Sequence, residues 1–516
     1  MTRKKCDRWF LGIDLGTGSC KAVAINERLE VLGFGASDYT ASTLHEKWQE
    51  QDPRSVLNGM IDTVRETLKN AGNLPGNCAG ISIGGALHSL IALDSSGNPL
   101  TGVMTWADGR AIRQAGTLRN TPYARDLYRQ TGCPVYGMYP LYKVLWLREK
   151  QPEIFKKTAR FLSAKEYVFA QLTGHYVVDY CLAAGSGFLN THHLTWNDQS
   201  LELAGISTQQ LSSLCDPGKV FHGLNKEIAV RMGISPHTPL VLGSADAANS
   251  SLGAGGTFPW QATCMIGTSG ALRTISSTPV IDAHSRSWCY AIDHEHWLVG
   301  GAINNGGIAL SWLQDVLHHS FPDLPHAMQK SFDNLVALAS QTEIGAGGVI
   351  CLPFFTGERS PNWNLNARAV FFGLALHHRV EHLARAVMEG VAFRLKTVYD
   401  VLAEIKGDVR QMRASGGFTH SDAWLQIITN TLNRELLVPV WGETSCLGAA
   451  FWAMMGIDKH PSLNEIGNMV PIGKVYVPDR DAADAYERLY RLYTDLYKAL
   501  NPFFERIVAF QNVNAR

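Results

Sequence analysis

The residues in this 516-residue chain best suited to chemistry are glycine-rich turns with a carboxylate nearby. In Asp14-Leu-Gly16-Thr17-Gly18-Ser19, backbone N–H groups freed by glycine and two hydroxyls can wrap a phosphate, and Asp14 at the end of an apolar run can hold Mg²⁺ through water. Lys21 can add a point charge to the same phosphates or simply face solvent. Gly267-Thr268-Ser269-Gly270 offers a second cradle of the same kind. Ser415-Gly416-Gly417-Phe418 would let the main chain approach a flat base closely. Each turn alone can be an ordinary strand connection. Together they favour a nucleotide cleft between two domains.

Between the two cradles, an apolar run from Val241 ends at Asp246 among Ala, Asn and Ser. A single carboxylate with such small neighbours can accept the proton of an attacking hydroxyl during in-line phosphoryl transfer. It can equally cap the helix that follows, and the residue types leave these two roles level. Several other chemistries are excluded. Both Gly-Lys pairs are followed by Val, so there is no P-loop. Gly80-Ile-Ser82-Ile-Gly84 has the spacing of a nucleophile elbow, but residues 87–93 read as a strand closed by a turn at 94–99, where that motif needs a helix. HExxH and GxGxxG are absent.

Those residues need elements to position them. Runs at 10–14 and 20–25 and a third from Leu29 read as strands joined by small or polar turns, a helix opened by Asp52-Pro53 extends to Asn70, and 79–83 returns to strand. The order β-β-β-α-β suits an α/β sheet of mixed direction. Residues 261–266 and 271–275 flank the second cradle as a similar strand-turn-strand unit, which suggests two related domains meeting at a glycine-rich hinge at 253–257. Residues 380–402 read as a core helix and 483–500 as a docking helix with a tyrosine stripe.

Composition narrows the partners. With 46 Lys+Arg against 46 Asp+Glu, the basic excess of a nucleic-acid binder is missing. The longest uncharged run, 247–272, is too rich in Gly, Ser, Thr, Asn and Gln to cross a membrane. Ten scattered cysteines without a CxxC pair indicate neither a zinc site nor a disulfide framework. The expectation is a cytoplasmic protein that binds neither nucleic acid nor membrane.

Seven ordered blocks carry a resemblance: Gly12-Ile-Asp-Leu-Gly-Thr17, Gly243-Ser-Ala-Asp246, Ile266-Gly-Thr-Ser-Gly270, Leu352-Pro-Phe-Phe-Thr-Gly-Glu-Arg-Ser-Pro361, Arg385-Ala-Val-Met-Glu-Gly390, Ser415-Gly-Gly-Phe418 and Cys446-Leu-Gly-Ala-Ala450. In them the chain resembles the FGGY family of carbohydrate kinases. The resemblance implies a two-domain, duplicated actin/Hsp70-like (ribonuclease H-like) ATPase fold with nucleotide and sugar in the interdomain cleft. It implies an N-terminal domain over 8–253 for sugar, phosphate and catalytic base, and a C-terminal domain over 254–500 for the second phosphate turn and adenosine. It makes Asp246 the catalytic base, gives Asp14 and Asp246 to Mg²⁺, gives Gly16, Thr17, Gly18, Ser19, Lys21, Gly267, Thr268 and Ser269 to the ATP phosphates, and gives Gly416 and Gly417 to adenosine.

Blocks around His88, Thr105-Trp106-Ala-Asp108-Gly-Arg110, 138–143, Arg273 and 301–307 are most similar to those of the family's gluconate-phosphorylating members. This implies ATP-dependent phosphorylation of the C6 hydroxyl of D-gluconate, with His88, Trp106, Asp108, Arg110, Asp246 and Arg273 as substrate residues. A sugar-acid carboxylate needs cationic or N–H partners, and His88, Arg110 and Arg273 qualify, although each can also serve in a structural ion pair. Thr429-Asn430 departs from the Ala-Asp expected there and puts a metal or base role at Asn430 in doubt. The alternatives are a kinase for xylulose or another ketose or polyol, and, in another class, a nucleotide-gated binding or regulatory protein of the actin/Hsp70 type. The partner is a small sugar acid or sugar, and a homodimer is the assembly to test.

Overall fold

The computed structural model describes residues 8–514 except 40, 46–47, 73, 75–77, 120, 321–331, 408 and 460. The chain divides into two compact units, and both are discontinuous in sequence. The first comprises 1–258, 275–299 and 443–470, and the second 259–274, 300–442 and 471–516.

The first unit is built on a six-stranded sheet whose order runs Val220–Phe221, Leu240–Val241, Cys78–Gly85, Trp9–Leu15, Ser19–Asn26, Val31–Asp38. Trp9–Leu15 pairs antiparallel with Ser19–Asn26 and parallel with Cys78–Gly85, so the sheet has the mixed direction expected of a hairpin followed by a helical crossover. The crossover helix Pro53–Asn70 starts where expected, with the Asp52 side chain accepting from the Arg54 and Ser55 N–H groups. Short strands at Ala41–His45 and Trp48–Gln51, which the apolar pattern does not announce, precede it. Ser82 lies within the strand Cys78–Gly85, as the rejection of a nucleophile elbow requires.

Helices cover both faces of this sheet. On one, the Pro53–Asn70 helix comes so close that a Cβ on Gly33 or Gly35 would stand 2.6 Å and 2.7 Å from the Thr67 and Thr63 carbonyl oxygens. The other is covered by Thr444–Asp458, a helix remote in sequence. A Cβ on Gly12 would lie 2.0 Å from the Cys446 oxygen, and one on Gly80 2.8 Å from Ile457. The same helix packs backbone to backbone on the helix Asp246–Gly253. A Cβ on Gly253 would lie 1.9 Å from the Thr444 oxygen, and one on Gly448 would lie 1.9 Å from the Asn249 oxygen. Glycine there is a matter of space, because no side chain fits between elements in main-chain contact.

In the second unit, Gln261–Ile266 pairs antiparallel with Gly270–Ser276 and parallel with Gln411–Ser415. This is the pairing pattern of the opening hairpin and its parallel neighbour. Glu435–Pro439 and Ile472–Tyr476 extend the sheet. The core helix forms over Val380–Lys406, and the tyrosine stripe lies on a longer helix, Arg480–Asn514. Its docking role is visible in the contacts: Tyr486 shares Glu389 with Arg385, Tyr490 donates to Asp400 (2.7 Å), and Tyr493 packs on Phe393. Among the described residues, no helix is long and apolar enough to cross a membrane, and the nine described cysteines are free.

The glycine-to-backbone contact gives a test of the fold. Gly448→Ala should lower stability by about 3 kcal/mol or more, at the upper end of overpacking costs, because backbone atoms must move; a melting temperature within a degree of wild type in thermal unfolding would contradict this packing.

Candidate active site

In the first unit, two carboxylates stand at the C-terminal ends of parallel strands, the edge where α/β sheets hold ligands. Asp14 is the penultimate residue of Trp9–Leu15 and lies opposite Gly84. Asp246 is the first residue of Asp246–Gly253, entered from the short strand Leu240–Val241 through Gly243, whose φ is +71°. Ala245 occupies the N-cap and makes no side-chain cap bond. The Asp246 Oδ1 accepts from its neighbour's N–H, that of Ala247, at 2.7 Å. Asp246 thus serves the helix start from the first helical position, on one of the first-turn N–H groups that lack an intrahelical partner.

Burial and the nearby negative charge of Asp246 push the Asp14 carboxyl up to about 7. The Ser445 hydroxyl donates to the Asp246 carbonyl oxygen (3.4 Å) and stands close enough to the Asp14 carboxyl to oppose that rise. Asp14 Oδ1 is buried with no hydrogen-bond partner, and a Cβ on Gly84 would stand 3.4 Å from it. A buried carboxylate oxygen without a donor, beside a second carboxylate, fits a hard cation. Groups of three or more His, Cys, Asp or Glu suited to a metal ion are absent among the described residues. The remaining ligands would come from water and the nucleotide, as is usual for Mg²⁺.

The first turn is held from outside. Gly16 N–H donates to the Ser19 oxygen (3.0 Å), Tyr39 O–H donates to the Gly16 oxygen, Gln51 Nε2 donates to the Thr17 oxygen, and Trp106 Nε1 donates to Thr17 Oγ1 at 3.0 Å. A Cβ on Gly18 would meet no protein atom within 4 Å. Space beside this turn is thus open where a phosphate would approach. Lys21 is engaged with Glu443 at 2.8 Å; both side chains are more than a third exposed, and such a pair exchanges readily for another anion.

The acceptor block sorts into different kinds of residue. His88 is buried in the left-handed region (φ +66°), with Nδ1 2.6 Å from the Gly185 oxygen and its ring edge-on to Tyr139 and Tyr290. Trp106 reaches the first turn directly. Arg110 and Asp108 are instead committed to each other: the guanidinium bonds both Asp108 oxygens (2.8 and 2.7 Å) and Glu50 (2.6 Å), and stacks over Trp48 and Trp146. Of the two roles open to Arg110, the geometry supports the structural ion pair. Lys165 is buried against Asp179 (2.7 Å) and the Gly243 oxygen (2.9 Å).

In the second unit, the Gly267 and Gly416 turns come together. The Gly267 and Thr268 carbonyls accept from the N–H groups of 306–308 (2.7–3.3 Å) at the start of the helix Gly307–Ser320. Gly416 (φ +92°) must be glycine, since a Cβ would lie 2.6 Å from the Ile266 oxygen. A cleft of about 310 Å³ opens between Gly267, Thr268, Ile308, Ser311, Gly417 and Phe418. Arg273 is buried on the adjacent strand, opposite Thr263. Asn430, the departure from the expected pattern, accepts from Gln426 and from the Asp479 N–H, a structural role.

Sequence reasoning missed Glu443 and Ser445, which adjoin the block at 446–450 without a chemical signature of their own. It also missed Tyr39 and Gln51, which act on the first turn from distant segments. Gly306-Gly307 was legible as part of a block, but not as the partner of the second turn.

Residues 9–253 match the N-terminal domain model, and 262–457 the C-terminal domain model, of the FGGY family of carbohydrate kinases. The chain belongs to this family. A gluconokinase from Bacillus licheniformis is 35% identical over 98% of both chains. A gluconate kinase structure from Lactobacillus acidophilus superimposes with a TM-score of 0.90 at 31% identity, covering 97% of this chain and 99% of that one. A ligand-bound xylulose kinase from the same organism gives the same TM-score and identity, over 97% and 100%. The FGGY fold is the two-domain actin/Hsp70-like architecture expected from the sequence, and membership makes the chain a carbohydrate kinase. The nucleotide-gated binding protein is thereby set aside.

Asp14 yields a prediction with two signs. With a folded value of about 7 against an ordinary 3.8, the folded state keeps a proton that the unfolded chain has lost between those pH values, so stability falls as pH rises across that window. Asp14→Asn should flatten this dependence and, at pH 8 without divalent ions, stabilise the protein by about 1–3 kcal/mol while lowering phosphoryl transfer on the order of 100-fold or more. Thermal melts across pH 4–8 read the first effect; a less stable Asn variant at pH 8 would contradict it.

Proposed function

We propose that this FGGY kinase transfers the γ-phosphoryl group of ATP to the C6 hydroxyl of D-gluconate, giving 6-phosphogluconate. The observation that carries phosphoryl transfer is the carboxylate pair: half-buried Asp246 raises the proton affinity of Asp14, whose buried Oδ1 is without a donor. Asp246 takes the proton of the attacking hydroxyl. The Gly16–Ser19 and Gly267–Ser269 backbones donate N–H groups to phosphate oxygens, and Lys21 exchanges Glu443 for a phosphate. Asp14, with Asp246, holds Mg²⁺, which when bound neutralises charge on the moving phosphoryl group. Gly416 and Gly417 receive adenosine against Phe418.

On the acceptor side, His88, Trp106 and Arg273 make substrate contacts, and Asp108 with Arg110 hold that loop in place. Residues 8–253 supply the base and acceptor site, and 254–500 the adenosine site and second phosphate turn. Gluconate is favoured by the gluconokinase at 35% identity and the acceptor blocks described above. Xylulose is the second reading, because a xylulose kinase structure matches as well as the gluconate kinase.

Two measurements bear on this. Gluconate should stimulate ADP release from ATP well above a panel of neutral ketoses and polyols, and preference for xylulose would reject gluconate as the acceptor. Asp246→Asn should reduce kcat by about 10²-fold or more with ATP binding retained, whereas Gly18→Ala, with open space around its Cβ, should keep wild-type stability and raise the KM for ATP. Near-normal turnover in the Asp246 variant would remove it as the base.

A further inference from the structure

Lys143 is among the largest fully buried side chains of the chain, with no exposed surface, on the helix Pro140–Lys150. Its ammonium has three donors, and they meet three backbone carbonyls: His88 at 2.6 Å, Thr105 at 2.6 Å and Met104 at 3.4 Å. Among the described residues, no carboxylate bonds to it. The charged groups that act on it are Asp108, which favours its charge, and Arg110, which opposes it, and burial drives its pKa down to about 7. Burying an ammonium against neutral dipoles is costly compared with an apolar side chain of the same length. The contacts therefore do something other than maximise stability.

The carbonyls belong to the two loops of the acceptor block. His88 sits in the left-handed region, which a non-glycine residue keeps only when its surroundings over-determine it. Two residues on, Leu90 exchanges both backbone hydrogen bonds with Met104 (3.0 and 2.8 Å). Thr105 precedes Trp106, whose indole reaches Thr17 of the first phosphate turn. The same Thr105 oxygen accepts from the Asp108 N–H at 3.1 Å. One ammonium thus ties the loop bearing His88 to the loop bearing Trp106, and through Trp106 to Thr17.

We propose that Lys143 is a positioning residue for the sugar acceptor: its buried ammonium fixes the His88 and Trp106 loops in register without touching substrate. This rests on the acceptor-site reading above. In the full-length protein, Lys143→Met and the milder Lys143→Gln are compared with wild type, using ATP and whichever acceptor in the sugar panel supports ADP release. The expected result is a rise of about 10-fold or more in acceptor KM for Met and a smaller one for Gln, with the KM for ATP within about 3-fold. Amide hydrogen exchange should quicken at 88–90 and 104–108 but not at 261–266.

A kcat that falls only with the folded fraction, both KM values unchanged, would reduce Lys143 to a structural role and overturn the proposal. So would unchanged exchange in both loops. If Met prevents folding, Gln decides by the same readouts. If no sugar stimulates wild-type turnover, the acceptor-site reading fails, and loop-specific exchange alone then decides whether Lys143 clamps the two loops.

Discussion

Main-chain contact without side chains between is the constraint on which the first unit depends. At Gly12, Gly253 and Gly448 a single added carbon would lie within about 2 Å of another backbone atom. The helix Thr444–Asp458 is thereby seated on the strand that ends near Asp14 and on the helix that begins at Asp246. Neither carboxylate could keep its place if these elements moved apart by the width of a methyl group. The same seating delivers Ser445 to the Asp14 carboxyl and Glu443 to Lys21. A rigid arrangement of this kind suits a site where charge must be met by fixed dipoles and not by reorganising solvent.

Electrostatics then follow from position. A carboxyl with a buried oxygen, close to a second carboxylate, resists losing its proton, and only a cation or a donor relieves that. Lys143 presents the converse case, a cation out of water that carbonyl dipoles solvate. Both buried charges have a cost in stability, and both lie at or beside residues assigned to ligands. Arg110, by contrast, has its carboxylates and aromatic faces supplied by the protein, and its burial is compensated locally.

The strand hairpins, their glycine turns and the carboxylates beside them were legible because their signals are local: apolar runs of strand length, small residues between them, an acidic residue at the end. The Asp52-Pro53 helix start and the tyrosine stripe were legible for the same reason. What partners each turn was not. Tyr39, Gln51 and Trp106 act on 16–19 from three separate segments, and Gly306-Gly307 closes on Gly267 from some forty residues away; no periodicity encodes such meetings. At Asp246 the residue types left base and cap level, and they could not show that its Oδ1 meets the Ala247 N–H of the first helical turn. Arg110 was ambiguous until Glu50 and two tryptophans were seen around it, since the charge of a side chain does not say who answers it.

The helix that seats both carboxylates is drawn from the last quarter of the chain, and this has a consequence for synthesis. The ribosome releases the opening sheet, with the bare face around Gly12 and Gly80, long before residues 443–470 emerge to cover it. At about 5–20 residues per second the wait is roughly 10–40 s. During that interval an apolar surface waits for a cover not yet made, so the first unit is not complete until residue 470, after most of the second has been made. A break in the chain after residue 258 would leave that surface permanently open, however complete the sequence before it looked as a domain.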